Sequence, residues 1–269
     1  MSVDLFLGAC AALTADHYEE TPPAADLRGL VACRWVRLVR KAGGPSRSPI
    51  LPDGCADVLV YDDAPPFAVG PDATTRWTTL RAGTVITGLR LRPGAVRAVL
   101  GCPATEIVDG GARLADLAPG ARALHERLLL SGNLRGRQEL LEDWVRAAAA
   151  RSAADDRAVV AACGLLAADP RLALDGVARR FGWHARAMHR RFREACGYGP
   201  KHLQRIMRLQ RALRLAHEGA AGLAAVALDA GYADQAHMSR DFRALTGFTP
   251  RASFATAPAE WGAWLDAGW

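Results

Sequence analysis

Hydrophobic and polar positions along the chain fall into two regimes. Over residues 27–100 the apolar residues come in short β-prone runs, LVACRWVRLV, ADVLVYD and TVITGLRLRPG. Turn material separates them: AGGPSRSP, PDG, DDAPP and GPDATT. Short strands at such spacing predict a sandwich or a small barrel, closed so that no strand edge stays open. From about residue 103 the pattern changes. ATEIVD and ARLADLAP read as short turns or helices, and ARALHERLLL and RQELLEDWVRAAAA carry apolar residues at helical spacing. RSAADDR, 151–157, reads as a linker. Beyond it the strand signal vanishes, and helices are predicted near 157–168, 174–181, 185–195, 200–217, 223–230, 235–245 and 250–256.

The predicted fold class is therefore α+β. A β-rich domain with helices, a cupin-like barrel or sandwich, spans 1–150; an all-α domain spans 151–257; a tail of 258–269 follows. The tail, APAEWGAWLDAGW, brings three tryptophans that are expected to pack on the body. The N-terminal MSVDLFLGACAAL is apolar but contains Asp4 and lacks a basic leading region, so it reads as part of the fold and not as a signal peptide. No apolar run reaches the roughly 18 residues that would suggest a membrane span.

Within the helical half one frame is written twice. MHRRFREACGYGPK at 188–201 and MSRDFRALTGFTPR at 238–251 agree in Met, Arg, Phe, Arg, Gly, aromatic and Pro at an offset of fifty. Upstream, LALDGVARRFGW matches GLAAVALDAGY at an offset of forty-nine. Each copy reads as a short helix, a Gly-aromatic turn and a second helix, the form of a helix-turn-helix. The first unit covers about 172–195 and the second about 222–245, with a joining helix at about 200–217. Met188 and Phe192, like Met238 and Phe242, lie four apart and share an inward face. Arg186, His189 and Arg190, and Gln235, Ser239 and Arg240, fall on the outward face.

Charge sharpens this reading. Residues 157–254 hold 16 basic and 7 acidic groups, residues 1–156 hold 18 and 19, and the tail adds two acids, for a net +6. A basic half beside a near-neutral one is the footprint of a protein that meets a polyanion. Packing alone explains the repeated Met, Phe, Gly and Pro, but not the outward arginines. A joining helix of about 17 residues is roughly 25 Å long. With the width of the flanking units it reaches the separation of about 34 Å between successive major grooves. One chain could then read both grooves without dimerising.

The segment 157–256 resembles the DNA-binding domain of the AraC/XylS family of bacterial transcription regulators. VARRFGW, MHRRFREACGYGPKHLQRIMRLQRALRLA and VALDAGYADQAHMSRDFRALTGFTPRAS carry the resemblance. It implies two helix-turn-helix units that contact promoter DNA, in a cytoplasmic protein that engages RNA polymerase where it activates and can form a homodimer. Base-reading positions fall, by that resemblance, on Arg186, His189 and Arg190 and on Gln235, Ala236, Ser239 and Arg240. Nearby Arg193, Arg243 and Lys201 would contact the backbone. The chain departs from the pattern at His184, where a Ser, Thr or Asp cap is usual and a weaker cap is expected. It departs again at Ala236, which cannot hydrogen-bond a base.

The first half, through ILPDGCADVLVYDD, VGPDATTRW and GLRLRPGAVRAVLGCPATEIVDGGARLADL, is similar over roughly 20–130 to a domain that precedes this unit in many uncharacterised AraC-type regulators. That implies a sensor of a small-molecule effector, for which Trp35, Asp57, Trp77 and Arg90 are the candidate lining residues. The six cysteines, at 10, 33, 55, 102, 163 and 196, form no CxxC pair, and their scatter suits reduced thiols. Cys55 or Cys102 as a chemical sensor is the alternative to a ligand-sensing domain, and an architectural DNA binder without any ligand is a third. GxxxxGK[ST], GxSxG and HExxH are all absent, and the histidines form no zinc spacing, so neither a catalytic residue nor a metal or other cofactor is expected.

Overall fold

The computed structural model describes residues 17–39, 46–62, 64–220 and 222–256. The N-terminal apolar stretch with Cys10, and the three tail tryptophans, lie outside the described residues.

The first half is built on a six-stranded antiparallel sheet with the order β1-β2-β7-β4-β5-β8. Its strands are β1 (His17–Thr21), β2 (Val31–Leu38), β4 (Ala56–Tyr61), β5 (Phe67–Val69), β7 (Val85–Leu91) and β8 (Gly111–Arg113). Two more strands, β3 (Ser46–Ile50) and β6 (Arg76–Leu80), pair only with each other. The three runs of strong β pattern are thus β2, β4 and β7, which lie side by side in the sheet. The expectation of closure is corrected: the main sheet is open. Its ends are β1 and the three-residue β8, and the β3–β6 ribbon hydrogen-bonds to neither of them. Short edge strands limit the hazard that closure would otherwise remove.

Side chains on these strands alternate between the two faces with period two. Ala56, Val58 and Val60 of β4 and Leu89 and Leu91 of β7 join a core with α1 (Val96–Leu100), α2 (Leu114–Leu117), α3 (Ala121–Leu130) and α4 (Leu134–Ala149). Cys33, Trp35, Leu59 and Ile86 point the other way and meet Leu80 of the ribbon. Gly88 sits beneath Trp35; a Cβ there would lie 2.9 Å from the indole, so glycine is what lets Trp35 cross β7.

The second half is helical: α5 (Ala154–Ala168), α6 (Leu174–Arg180), α7 (Ala185–Cys196), α8 (Pro200–His217), α9 (Leu223–Asp229), α10 (Gln235–Thr246) and α11 (Pro250–Thr256). Sequence spacing places every one of them, most to within a residue; α5 begins three residues early because Ala154, Asp155 and Asp156 form its first turn. One core runs through these helices and across the join. Ala32, Leu51 and Cys55 of the first half pack with Met188, Phe192, Leu203, Met207 and Phe242 of the second. Among the described residues no helix is long and apolar enough to cross a membrane.

Candidate functional site

The two repeated units are built alike. In the first, α6 and α7 flank the Gly182-Trp183 turn; in the second, α9 and α10 flank Gly231-Tyr232. Met188 and Phe192, and Met238 and Phe242, are buried beneath α7 and α10. Both helices end on a left-handed glycine, Gly197 (φ 82°) and Gly247 (φ 76°), whose N–H groups donate to the carbonyls of Arg193 and Arg243. Pro200 and Pro250 then open α8 and α11, where a missing N–H costs nothing.

The helix starts also match, with one surprise. Asp234 caps α10 by accepting from the His237 N–H at 2.6 Å. At the corresponding place His184 Nδ1 accepts from the Ala187 N–H at 3.1 Å. The histidine therefore does cap α7, and the bond fixes its tautomer with the proton on Nε2. The cap is present where a weaker one is expected: a ring nitrogen reaches the same orphan donor that a hydroxyl or carboxylate would, at a longer distance than Asp234 does.

Outward residues stand where the 3.6 period puts them. Arg186, His189, Arg190 and Arg193 on α7 are exposed, as are Gln235, Ala236, Arg240 and Arg243 on α10 and Lys201 at the start of α8; Ser239 is half-buried. His189 lays its ring against Gly199, where a Cβ would come within 2.7 Å of Nε2. Arg191 is drawn off this face. It bonds Asp155 at 2.6 Å and lies 5.2 Å from the Trp183 ring centre.

Between the units, α8 buries Leu203, Ile206, Met207, Leu209 and Leu213. Its arginines do more than add charge. Arg205 Nε donates to Asp241 of α10 at 3.0 Å, and Arg208 Nη2 stands 3.9 Å from the other carboxylate oxygen. Asp241 is a buried acid in the middle of a basic helix. It escaped sequence reasoning because its partners lie more than thirty residues upstream.

A cavity of about 610 Å³ separates the main sheet from the β3–β6 ribbon. Of the four residues expected to line an effector site, Trp35, Asp57 and Arg90 face this cavity and meet there. Trp35 Nε1 donates to Asp57 Oδ1 at 2.8 Å, and Arg90 Nε lies 3.5 Å from the same oxygen. Trp77 is elsewhere. It is on the outer side of the ribbon, beneath the Arg47 guanidinium and edge-on to Phe248. Period two explains the difference: Arg76 and Thr78, its neighbours on β6, point inward.

The cavity also holds residues that the sequence hid in turns and polar strands. Arg90 donates to Glu20 at 2.8 Å and stands 3.6 Å from Asp53; Arg76 donates to Asp72 at 2.9 Å. Burial lifts the Asp57 carboxyl to about 6 against the pull of Arg90, and burial likewise lifts Asp72 to about 6 against Arg76. Burial works against the charge on Arg90, yet the surrounding Tyr18, Asp57 and Asp53 hold its pKa well above the ordinary arginine value. Cys55 lies in the same wall, and burial pushes its thiol up, which keeps it protonated and unreactive. Cys102 is buried too, and its thiol is raised by the same cause.

A carboxylate whose folded pKa exceeds its unfolded value of about 4 binds more protons when folded, so its contribution to stability falls as pH rises from about 4 through about 6. Asp57→Asn removes that slope while keeping an oxygen for Trp35 Nε1. Melting temperatures across pH 4 to 7 should fall less steeply in the variant than in the wild type. Parallel curves would show that Asp57 titrates normally.

No group of three or more His, Cys, Asp or Glu that could hold a metal ion occurs among the described residues. Comparison with known proteins finds matches to two segments of the chain. Residues 177–255 match the family model described as a helix-turn-helix domain, and residues 19–112 match a domain of unknown function. No curated protein matches the chain. Solved structures with a similar course of the chain include ToxT from Vibrio cholerae strain SCE256. An apo form of that protein, with one lysine replaced by alanine, has 11% identity and a TM-score of 0.40, over 90% of this chain and 97% of that one. The wild-type form bound to unsaturated fatty acid has 10% identity and a TM-score of 0.40, over 91% and 96%. A helix-turn-helix is a DNA-binding form found in transcription regulators. The chain thus carries a helix-turn-helix domain over residues 177–255, behind a domain of unknown function over residues 19–112.

Proposed function

We propose that this protein is a cytoplasmic, sequence-specific transcription regulator whose DNA affinity is set by a small molecule held in the cavity of its N-terminal domain. The observation that carries the DNA reading is the matched pair α7 and α10, each capped, each buried on its Met-Phe side, and each exposing arginine on its outer face. Arg190 and Arg240 suit bidentate contact with guanine, Gln235 suits adenine, and Ala236 can touch a thymine methyl. Arg186, His189 and Ser239 complete the reading face, with Arg193, Arg243 and Lys201 toward phosphates. The functional division falls at about residue 150, with DNA contact confined to 151–257. Contact with RNA polymerase and a homodimer through the first half belong to the same reading.

Footprinting on the protein's own promoter region should protect roughly 20 bp, about two helical turns. Affinity should drop steeply between about 50 and 200 mM salt, because released counterions supply much of it. Arg190→Ala and Arg240→Ala should each cost about 1–3 kcal/mol of binding and relax the preference at one position. A variant that binds as the wild type does removes that arginine from the reading face.

The effector reading rests on the cavity's size and on its mixed lining of carboxylates, arginines and aromatic rings. Arg90 faces three acids, Glu20, Asp53 and Asp57, so a ligand with positive or hydrogen-bond-donating groups is favoured at that end. A metabolite panel read by melting temperature tests it, since a ligand bound only to the folded state raises the midpoint. A shift that survives Asp57→Asn and Trp35→Ala together would place the ligand elsewhere.

A further inference from the structure

The N-terminal domain grips both recognition helices at their C-terminal ends. At α7, Val108 packs on Gly197 so closely that a Cβ there would come within 2.7 Å of the valine side chain. Arg97 of α1 bonds Glu194 of α7 and Asp156 of α5, each at 3.0 Å. At α10, the Thr75 N–H donates to the Leu245 carbonyl at 2.9 Å, and Trp77 meets Phe248 edge-on at 6.2 Å between ring centres. The helix between them is held as well: the Ala73 carbonyl contacts His202 of α8 at 3.0 Å. Covalently the two units are joined by α8 alone; in space the N-terminal domain joins them a second time.

The two grips are one piece. The segment 70–76, which holds α10, is bonded to the segment 104–110, which holds α7. Asp109 Oδ1 accepts from the Ala73 N–H at 2.7 Å, the Asp109 N–H donates to Pro71 at 3.2 Å, and the Gly70 N–H donates to Gly110 at 2.9 Å. Asp109 takes a left-handed conformation, φ 56°, to make these contacts. Both grips close on the far ends of the recognition helices, so the first turns with Arg186, Gln235 and their neighbours stay open.

We propose that Asp109 and Trp77 are positioning residues for DNA recognition: through them the N-terminal domain fixes the separation of α7 and α10, and so the spacing between the two groove contacts that the protein accepts. Neither touches DNA. The same segment puts Asp72 and Arg76 in the cavity wall, so an occupant there acts on the grip directly. The inference rests on the DNA-binding reading.

The test compares the full-length protein with the double variant Asp109→Gly, Trp77→Ala. Glycine keeps the left-handed backbone while losing the carboxylate, and Trp77 is about half exposed (48%), so its loss leaves little cavity. Each protein is titrated with the selected operator and with operators carrying one base pair more or less between the two contacted grooves, and its melting temperature is recorded. One inserted pair moves the second site by about 3.4 Å and turns it by about 35°. The wild type should lose at least about tenfold in affinity on such a change, the size of one poor base contact. The double variant, still folded, should lose less than about threefold while retaining its preference within each half-site. Asp109→Asn, which keeps an oxygen for Ala73, should restore the wild-type spacing preference in the presence of Trp77. A folded double variant that discriminates spacing as sharply as the wild type overturns the proposal. A wild type with no preferred sequence at all overturns the DNA reading itself, and the positioning role with it.

Discussion

Gly70→Ala should unfold the N-terminal domain's junction with the helical half, at a cost of more than about 3 kcal/mol, beyond the usual range for overpacking. A Cβ at this position would lie 1.9 Å from the Ile107 carbonyl oxygen and 2.4 Å from its carbon. No rotamer change relieves the clash, because both partners are backbone. The Gly70 N–H bond to Gly110 would open, and with it the seam between segments 70–76 and 104–110. Urea unfolding followed by tryptophan fluorescence measures the loss as a lower midpoint. A variant within about 1 kcal/mol of the wild type, the typical effect of an ordinary substitution, would show that the two segments are not in contact in solution.

Asp241→Ala should cost about 2–4 kcal/mol, somewhat under the roughly 3–5 typical of breaking a buried pair, because Arg205 is partly exposed and water screens its charge. Asp241 is 8% exposed and serves two cations of α8, Arg205 at 3.0 Å and Arg208 at 3.9 Å. Removing it leaves both guanidinium groups against the α8–α10 seam with no carboxylate there. Asp241→Asn retains an acceptor for Arg205 and should recover part of the loss. Chemical denaturation of the three proteins checks this, and equal stabilities for wild type and alanine variant would reduce the contact to a surface pair of no consequence. An acid inside a helix proposed to face DNA is otherwise a handicap, since it repels phosphate; its pairing with α8 gives it a structural reason to be there.

The helical half was legible because its signals are local. Met-x-x-x-Phe spacing, a capping residue, a left-handed glycine and a following proline each act within a few residues. They placed α6 to α11 and the outward arginines. His184 fills the cap position without an oxygen, because the geometry asks only for an acceptor. The strands were legible where both faces are buried, as in β2, β4 and β7. In β3 and β6, SRSPI and RWTTL, one face lines a polar cavity, so no apolar alternation marks them. The same ribbon decided against a closed barrel, since it pairs with itself alone.

The cavity was half legible for a related reason. Trp35, Asp57 and Arg90 lie on strong strands at inward positions, and period two brings them together. Asp53 and Asp72 sit in PDG and GPDATT, which read as turns, and nothing in a turn's sequence says what it faces. Trp77 lies between the inward Arg76 and Thr78, and one step along β6 turns a side chain to the opposite face.

Spacing and composition alone settled the pair of helix-turn-helix units, their helix ends, their outward faces and the split of charge between the halves. Each of these follows from a single helix or from counting residues. Contacts in space settled that the sheet is open, that Asp241 is paired with arginines of α8, and that two turns of the first half hold the C-terminal ends of α7 and α10. Those contacts join residues far apart in the chain, such as Thr75 with Leu245 and Val108 with Gly197. They depend on how preformed surfaces meet, and that information is carried by the packed core shared across the join and not by any local pattern.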